Sequence, residues 1–293
     1  MLAETGDHAD AADLMRQALE LVPDWAAGWF RLADYEEKSG GKEAAVAALK
    51  RVMELNPDDI FGAGLKLALL GGAETPEQPP SSYVERLFDD YADRFDAALV
   101  ERLNYTVPQK LAALIADHAG ETRFSHTIDL GCGTGLAAGA FARHVDRFIG
   151  IDLSPRMIDK ARATGLYAEL EVDDMLNGIA GKPDASAELI LAADAMVYIA
   201  DLAPVLAEAR RVLVAGGVFA FTTETHDGEG VILGEGLRYA EDVTAGKRAA
   251  ADDVELLAAF PRYHPWWAWW VTRVPVLREF AVSNLVLVLR KDG

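Results

Sequence analysis

Thr127-Ile128-Asp129-Leu130-Gly131-Cys132-Gly133-Thr134-Gly135 decides how this chain folds. Its first half reads as a buried strand that closes beside an acid. Its second half is a glycine turn, and Leu136–Val145 reads as a helix. A strand, a tight turn and a helix N-terminus form a ligand site at the carboxyl edge of a parallel sheet.

Working outward, strands and helices alternate. Strands are predicted at Arg147–Ile151, Tyr167–Val172, Leu189–Ala193 and Val218–Thr223. Helices are predicted at Pro155–Arg162 and Leu202–Val214. That alternation means βαβ units, a parallel sheet and helices on both faces. Right-handed crossovers then bring every strand's carboxyl end to one edge. Two helices precede the sheet. Tyr83–Asp96 carries Leu87, Tyr91 and Phe95 on one stripe, with Ser81 or Ser82 as its cap, and Pro108–His118 points Leu111, Leu114 and Ile115 inward. The aromatic stripe suits core packing better than a lid over a ligand.

The spacing of the turn selects among ligands. A dinucleotide fingerprint needs a third glycine at position 136, and that residue is Leu136. Asp129 would repel a pyrophosphate but suits a ligand with a cationic amine. S-adenosylmethionine has such an amine, a sulfonium and no phosphate. Asp152 closes the second strand, 17 residues after Gly135, where a carboxylate accepts both ribose hydroxyls. Ser154 is free to cap the next helix. Asp173 and Asp174 end the third strand, where an acid can take an adenine amino group and Met175 an adenine face. The competing reading of that pair is a plain turn.

The chain before residue 72 is self-similar. Gly6, Ala11, Met15, Ala18 and Pro23 recur as Gly40, Ala45, Leu49, Val52 and Pro57, a period of 34 residues. This resembles the tetratricopeptide family, with Trp29, Leu32 and Ala33 on one helix and Ala45 and Leu49 on the next. About one and a half repeats are present, and Ile60–Leu70 would cap them. About three are usually needed for independent stability, so the remaining apolar face either docks on the following domain or takes a partner. Trp25 and Trp29 read as inter-helix packing. Residues 73–82, rich in Gly, Pro and Ser, read as a linker.

Asp129 to Gly135, Ile149-Gly-Ile-Asp152, Asp173-Asp-Met175, Ala193-Asp194 and Arg211 to Gly217 stand in an order that resembles the class I S-adenosylmethionine-dependent methyltransferases over residues 120–225. The whole chain is similar to bacterial methyltransferases with a short tetratricopeptide start. The resemblance implies a Rossmann-like, doubly wound α/β fold. Its seven-stranded sheet would be mostly parallel, with an antiparallel last strand at Val282–Leu289. A small all-α segment would precede it. The domains would be 1–72, a linker at 73–82, and 83–293. It further implies that Gly131, Gly133 and Gly135 wrap the methionine portion and that Asp129 lies near the amino acid end. Asp152 would hold ribose, Asp174 and Met175 would border adenine, and Asp194 and Tyr91 would complete the cofactor site. S-adenosyl-L-methionine is the implied cofactor.

Composition excludes other classes. The net charge is −19, from 47 acidic and 28 basic residues, so nucleic acid and anionic membranes are disfavoured partners. One cysteine, Cys132, allows no intrachain disulfide and suits a reducing, cytoplasmic setting. No metal site is expected. The expected substrate is a small molecule, and protein partnership or self-association would run through the tetratricopeptide region.

Methyl transfer is an in-line displacement that mainly needs alignment, with a base only where the nucleophile must lose a proton. Tyr198 and His226 are the catalytic candidates at the strand edge, with Asp194 and Glu224 beside them. Tyr198 stands where many relatives carry His. His226 competes with a plain loop histidine, and Cys132 reads as packing. His264-Pro-Trp-Trp-Ala-Trp-Trp270 holds four of the six tryptophans and reads as a pocket wall, a subunit interface or a local shift of reading frame. A nicotinamide-dependent oxidoreductase and a non-catalytic, cofactor-binding adaptor are the competing functions.

Overall fold

The strand at the glycine turn, β1 (Thr127–Leu130), is buried at every residue and lies between two parallel neighbours. Burial on both faces is what a central parallel strand requires. The structure is a computed structural model that describes residues 6–96, 105–119, 123–226, 230–234, 236–242, 254–260 and 284–291. These fall into two compact units. One is the chain up to Val84 with Leu233–Leu237; the other is Glu85–Ile232 with the chain from Arg238 on.

The first unit is helical: α1 (His8–Leu21), α2 (Ala26–Lys38), α3 (Lys42–Leu55) and α4 (Ala63–Leu69). Small and branched residues at helical spacing, Ala12, Leu19, Leu32, Ala33, Ala48, Leu49, Val52, Ala63 and Leu67, make its core. Gly28 is required at the α1–α2 crossing, because a Cβ there would stand 2.4 Å from the Trp25 ring. Trp29 packs against the core and donates its indole N–H to the Pro23 carbonyl at 2.7 Å. Trp25 is 45% exposed, so packing accounts for only part of its ring. Glu36 is buried and paired with Arg16. Asp59 caps α4 by accepting from Ala63 and Gly64 N–H at 2.7 and 2.8 Å.

Helix α5 (Ser81–Tyr91) begins at Ser81, which was expected to precede it. The Ser82 hydroxyl donates to the Asp58 carbonyl, so it spends its hydrogen bond outside the helix. None of the α5 side chains is fully buried. The stripe is therefore not core, contrary to the reading of its period. Helix α6 (Val107–Ala119) follows, with Leu111 and Ile115 buried.

The sheet carries α7 (Leu136–Phe141), β2 (Phe148–Asp152), α8 (Pro155–Thr164), β3 (Tyr167–Val172), α9 (Met175–Ala180), β4 (Ala187–Ala192), α10 (Ala203–Val212) and β5 (Leu213–His226). Four further strands complete it: β6 (Val231–Leu233), β7 (Tyr239–Asp242), β8 (Val254–Phe260) and β9 (Asn284–Lys291). The order is β3-β2-β1-β4-β5, all parallel, and the chain reverses direction of growth between β1 and β4. β9 pairs antiparallel with Val218–Glu224 of β5, and β8 lies outside it, which gives the seven-stranded fold with its antiparallel last strand. β6 and β7 are additions, with β7 pairing parallel to the end of β5. Alternate residues feed opposite faces. Ile190, Ala192, Phe219 and Phe221 pack under α9 and α10, while Leu189, Leu191, Val218 and Ala220 pack under α6 and α7. Arg211 ties α10 to the end of α9 by donating to the Ala180 and Lys182 carbonyls at 3.1 and 2.8 Å.

Candidate active site

The reversal between β1 and β4 opens a crevice at their carboxyl ends, the usual place for a ligand in a doubly wound sheet. The glycine turn enters it with three left-handed residues, Gly131, Gly133 and Gly135, at φ of 65°, 53° and 94°. Gly131 has a second reason to lack a side chain: a Cβ there would lie 2.4 Å from the Ala195 Cβ. The Gly131 and Cys132 N–H groups donate to the Ile151 carbonyl, which fixes the turn against β2.

Two carboxylates flank the turn. Asp152 accepts from Gly133 N–H at 2.8 Å and from Ser154 N–H at 2.9 Å, one on each oxygen. Each oxygen keeps a second acceptor site, so both can face a diol. Burial raises its pKa, and the two N–H groups oppose that rise. Ser154 caps α8 by accepting from Met157 N–H at 3.1 Å, the role its position suggested.

Asp129 is buried, and burial is the main cause that pushes its pKa up to about 7, with the Asp152 charge adding to it. The Tyr167 hydroxyl donates to Asp129 at 2.6 Å and works the other way. The phenol itself is held far above its usual range by burial and by the Asp129 charge. Cys132 is buried beside them and its thiol is pushed up by burial, which suits packing rather than nucleophilic chemistry.

Asp194 follows β4 with φ of 55°. Its N–H donates to the Thr222 hydroxyl, which donates in turn to the Asp194 carboxylate, both at 2.8 Å. Asp174 caps α9 by accepting from Leu176 N–H at 2.9 Å, a role its pattern did not suggest. Met175 reaches the turn, its Cε 3.7 Å from where a Gly131 Cβ would be.

The end of α5 and the residues after it cover the turn. The Phe95 ring lies 3.9 Å from where a Gly133 Cβ would be, and Asp96 accepts from the Thr134 hydroxyl at 2.6 Å. Asp89 takes the Ser154 hydroxyl and the Arg156 N–H, and Asp93 pairs with Arg156 and Lys160 at 2.6 and 3.0 Å. Hydrogen bonds and charge from Lys160 and Arg156 hold the Asp93 carboxyl below its usual range. Phe88 joins Phe95 and Tyr198, with ring centroids 6.2 and 5.4 Å away. Tyr91 stacks edge-on with Phe95 at 5.9 Å, and Arg94 lies over its ring.

The structure thus brings Asp129, Gly131, Gly133, Gly135, Asp152, Met175 and Asp194 to one sheet edge. Tyr198 sits under Phe88 in a short 3-10 turn (Met196–Tyr198). His226 lies at the end of β5 and donates Nε2–H to the Gly230 carbonyl at 2.8 Å. The Trp-rich stretch at 266–270 lies outside the described residues. Sequence reasoning missed Tyr167, which bonds Asp129 from another strand. It also missed Arg238, whose guanidinium meets Glu224 at 2.6 Å with both side chains buried.

Fold and site define a doubly wound α/β protein with its ligand crevice between β1 and β4. A family model described as a methyltransferase domain matches residues 128–221. An uncharacterized methyltransferase of Mycobacteroides abscessus is 32% identical over 235 residues, which cover 68% of this chain and 91% of that one. Another, from a Mycobacterium species, is 31% identical over 241 residues, covering 70% and 93%. Burkholderia thailandensis 1,6-didemethyltoxoflavin-N1-methyltransferase, whose structure holds 1,6-didemethyltoxoflavin and S-adenosylhomocysteine, matches with a TM-score of 0.53. That match covers 75% of this chain and 94% of the other at 16% identity, a likeness of fold. The chain belongs to the methyltransferase domain family, and its activity is S-adenosylmethionine-dependent methyl transfer.

Proposed function

We propose that the crevice binds S-adenosylmethionine with its ribose on Asp152 and its amino acid end over the glycine turn beside Asp129. The observation that carries this reading is the pair of enclosed carboxylates on either side of the turn. Asp152 has both oxygens oriented by N–H groups and one acceptor site left on each. Asp129 is a buried acid that a ligand ammonium would stabilise in its charged form. Both features oppose a pyrophosphate, and Leu136 replaces the glycine that dinucleotide binding needs. We assign Asp174 and Met175 to the adenine. Phe88, Phe95 and Tyr198 form an aromatic wall beside the turn, and Tyr91 stacks on Phe95.

The bound sulfonium supplies an electrophilic methyl group. The chain's part is to align an acceptor with it and to exclude water. We assign the acceptor to a small molecule, reached past Tyr198 and the end of β5. Tyr198 is a hydrogen-bonding partner for that acceptor, and His226 a base for acceptors that must lose a proton. Residues 1–72 read as a tetratricopeptide segment, with α2 and α3 forming one repeat around Gly40. It serves as a structural appendage or as a surface for a protein partner. Among the described residues no helix is long and apolar enough to cross a membrane. The single cysteine suits a cytoplasmic enzyme.

Incubation with S-adenosylmethionine and fractionated metabolite extracts tests the catalytic reading. Release of S-adenosylhomocysteine that depends on one fraction supports a small-molecule methyltransferase. Cofactor binding without release in any fraction favours the adaptor reading instead.

A further inference from the structure

Tyr167 opens β3, two strands from β1, yet it touches both the glycine turn and the acid that precedes it. A Cβ on Gly135, the last glycine of the turn, would stand 3.1 Å from the Tyr167 ring. On the strand between, a Cβ on Gly150 would stand 2.8 Å from the same ring. Phe148 packs against it with ring centroids 5.7 Å apart. Held by these three neighbours, the ring delivers its hydroxyl to Asp129 Oδ2 at 2.6 Å. Gly150 on β2 and Leu191 on β4 stand in register with Asp129 and offer it no polar side chain. The other titratable groups around the acid are Asp152 at the end of β2, the Cys132 thiol in the turn and the Tyr105 phenol ahead of α6, which act on it through charge. The Tyr167 hydroxyl is bonded to it and favours its charged form, the form an ammonium needs.

We propose that Tyr167 is a positioning residue for the amino acid end of the methyl donor: its ring seats the glycine turn at Gly135, and its hydroxyl fixes the Asp129 carboxylate that receives the ligand ammonium. The inference rests on the S-adenosylmethionine reading. A tyrosine that merely filled space would affect every ligand of the crevice alike. A tyrosine that fixes Asp129 acts on ligands that carry the ammonium, and acts through the ionisation of that acid. Without the hydroxyl, Asp129 loses a donor to its charged form and takes up a proton at higher pH.

The test compares two ligands by titration calorimetry from pH ~6 to ~8.5: S-adenosylhomocysteine, which has the amino acid end, and 5′-methylthioadenosine, which lacks it. For Tyr167→Phe at pH ~7, S-adenosylhomocysteine is expected to bind about tenfold more weakly, the scale of a lost hydrogen bond to a charged group. The pH below which its affinity falls is expected to lie about one pH unit higher than in the unmodified protein, the equivalent of that tenfold. Titration of the ligand amine is common to both proteins and cancels in the comparison. Binding of 5′-methylthioadenosine is expected to stay within about twofold of the unmodified protein, a change well below that of one hydrogen bond. Gly150→Ala, which keeps the phenol but displaces it, is expected to give the same split and serves where Tyr167→Phe does not fold. Equal loss for both ligands, or an unchanged affinity and pH profile for S-adenosylhomocysteine, overturns the positioning role while leaving the donor reading in place. Failure of the unmodified protein to bind either ligand overturns the donor reading and this role together.

Discussion

Tyr167 Oη donates to Asp129 Oδ2 at 2.6 Å although a whole strand, β2, separates the two residues. The phenol crosses β2 above Gly150, which pairs in register with Asp129 on one side and Leu170 on the other. A Cβ at Gly150 would stand 2.8 Å from the Tyr167 ring and 2.9 Å from the Cys132 sulfur. The glycine is therefore the gap through which β3 reaches the buried acid of β1.

Gly150→Ala closes that gap. The ring is rigid and the sulfur is buried, so the added methyl forces a shift that costs about 1–3 kcal/mol, the scale of overpacking a core. Urea unfolding reads that loss. Stability equal to the unmodified protein would show that Tyr167 does not need the gap.

The buried acid makes the ligand-free protein sensitive to pH. Asp129 has a folded-state pKa near 7, well above its value in an unfolded chain. The folded state then binds the extra proton, so its contribution to stability is complete below pH ~4 and is lost as pH rises to ~7. The loss amounts to at most about 4 kcal/mol, by the conversion of about 1.4 kcal/mol per pKa unit. Melting temperatures of the ligand-free protein should fall across that window, and Asp129→Asn should flatten the fall. An equally steep fall in the variant would assign the effect to other groups. A ligand ammonium favours the charged acid, so donor affinity should weaken below pH ~7.

Asp152→Ala should weaken donor binding by about 1–3 kcal/mol, the cost of leaving ligand hydroxyls without an acceptor. It also frees the Gly133 and Ser154 N–H groups, so stability should be followed in parallel. A folded variant with unchanged affinity removes the ribose assignment.

Glu224 and Arg238 form a buried pair at the end of β5. Removing one charge strands the other, which typically costs about 3–5 kcal/mol, while replacing both by apolar residues of similar size costs far less. Thermal unfolding of Glu224→Met, Arg238→Met and the double variant should show that order. Additive losses would mean the two charges act independently.

Much of this was legible in the sequence, and what was not has a physical cause. The strands at Thr127–Leu130 and Tyr167–Val172 were found to the residue, because short β-rich runs between turn signals leave little choice. The fifth strand was read as Val218–Thr223, but it runs from Leu213 to His226. Gly216 takes a φ of 77° within the extended chain, and pairing with β7 carries the far end on. The helix after the glycine turn stops at Phe141, four residues short of the expected end. Asp129 and Asp152, on their own strands, could be placed from spacing, and Asp194 from the family resemblance. Tyr167 could not, since it meets its acid only through the order of the strands.

The account's central claim is that the crevice beside Asp129 and Asp152 is built for an adenosine with a charged amino acid end. Titration calorimetry of the full chain with S-adenosylhomocysteine and, separately, with NAD tests it most directly. The account predicts saturable one-to-one binding of S-adenosylhomocysteine and none of NAD at the same concentration. Binding of NAD in preference to S-adenosylhomocysteine would contradict it.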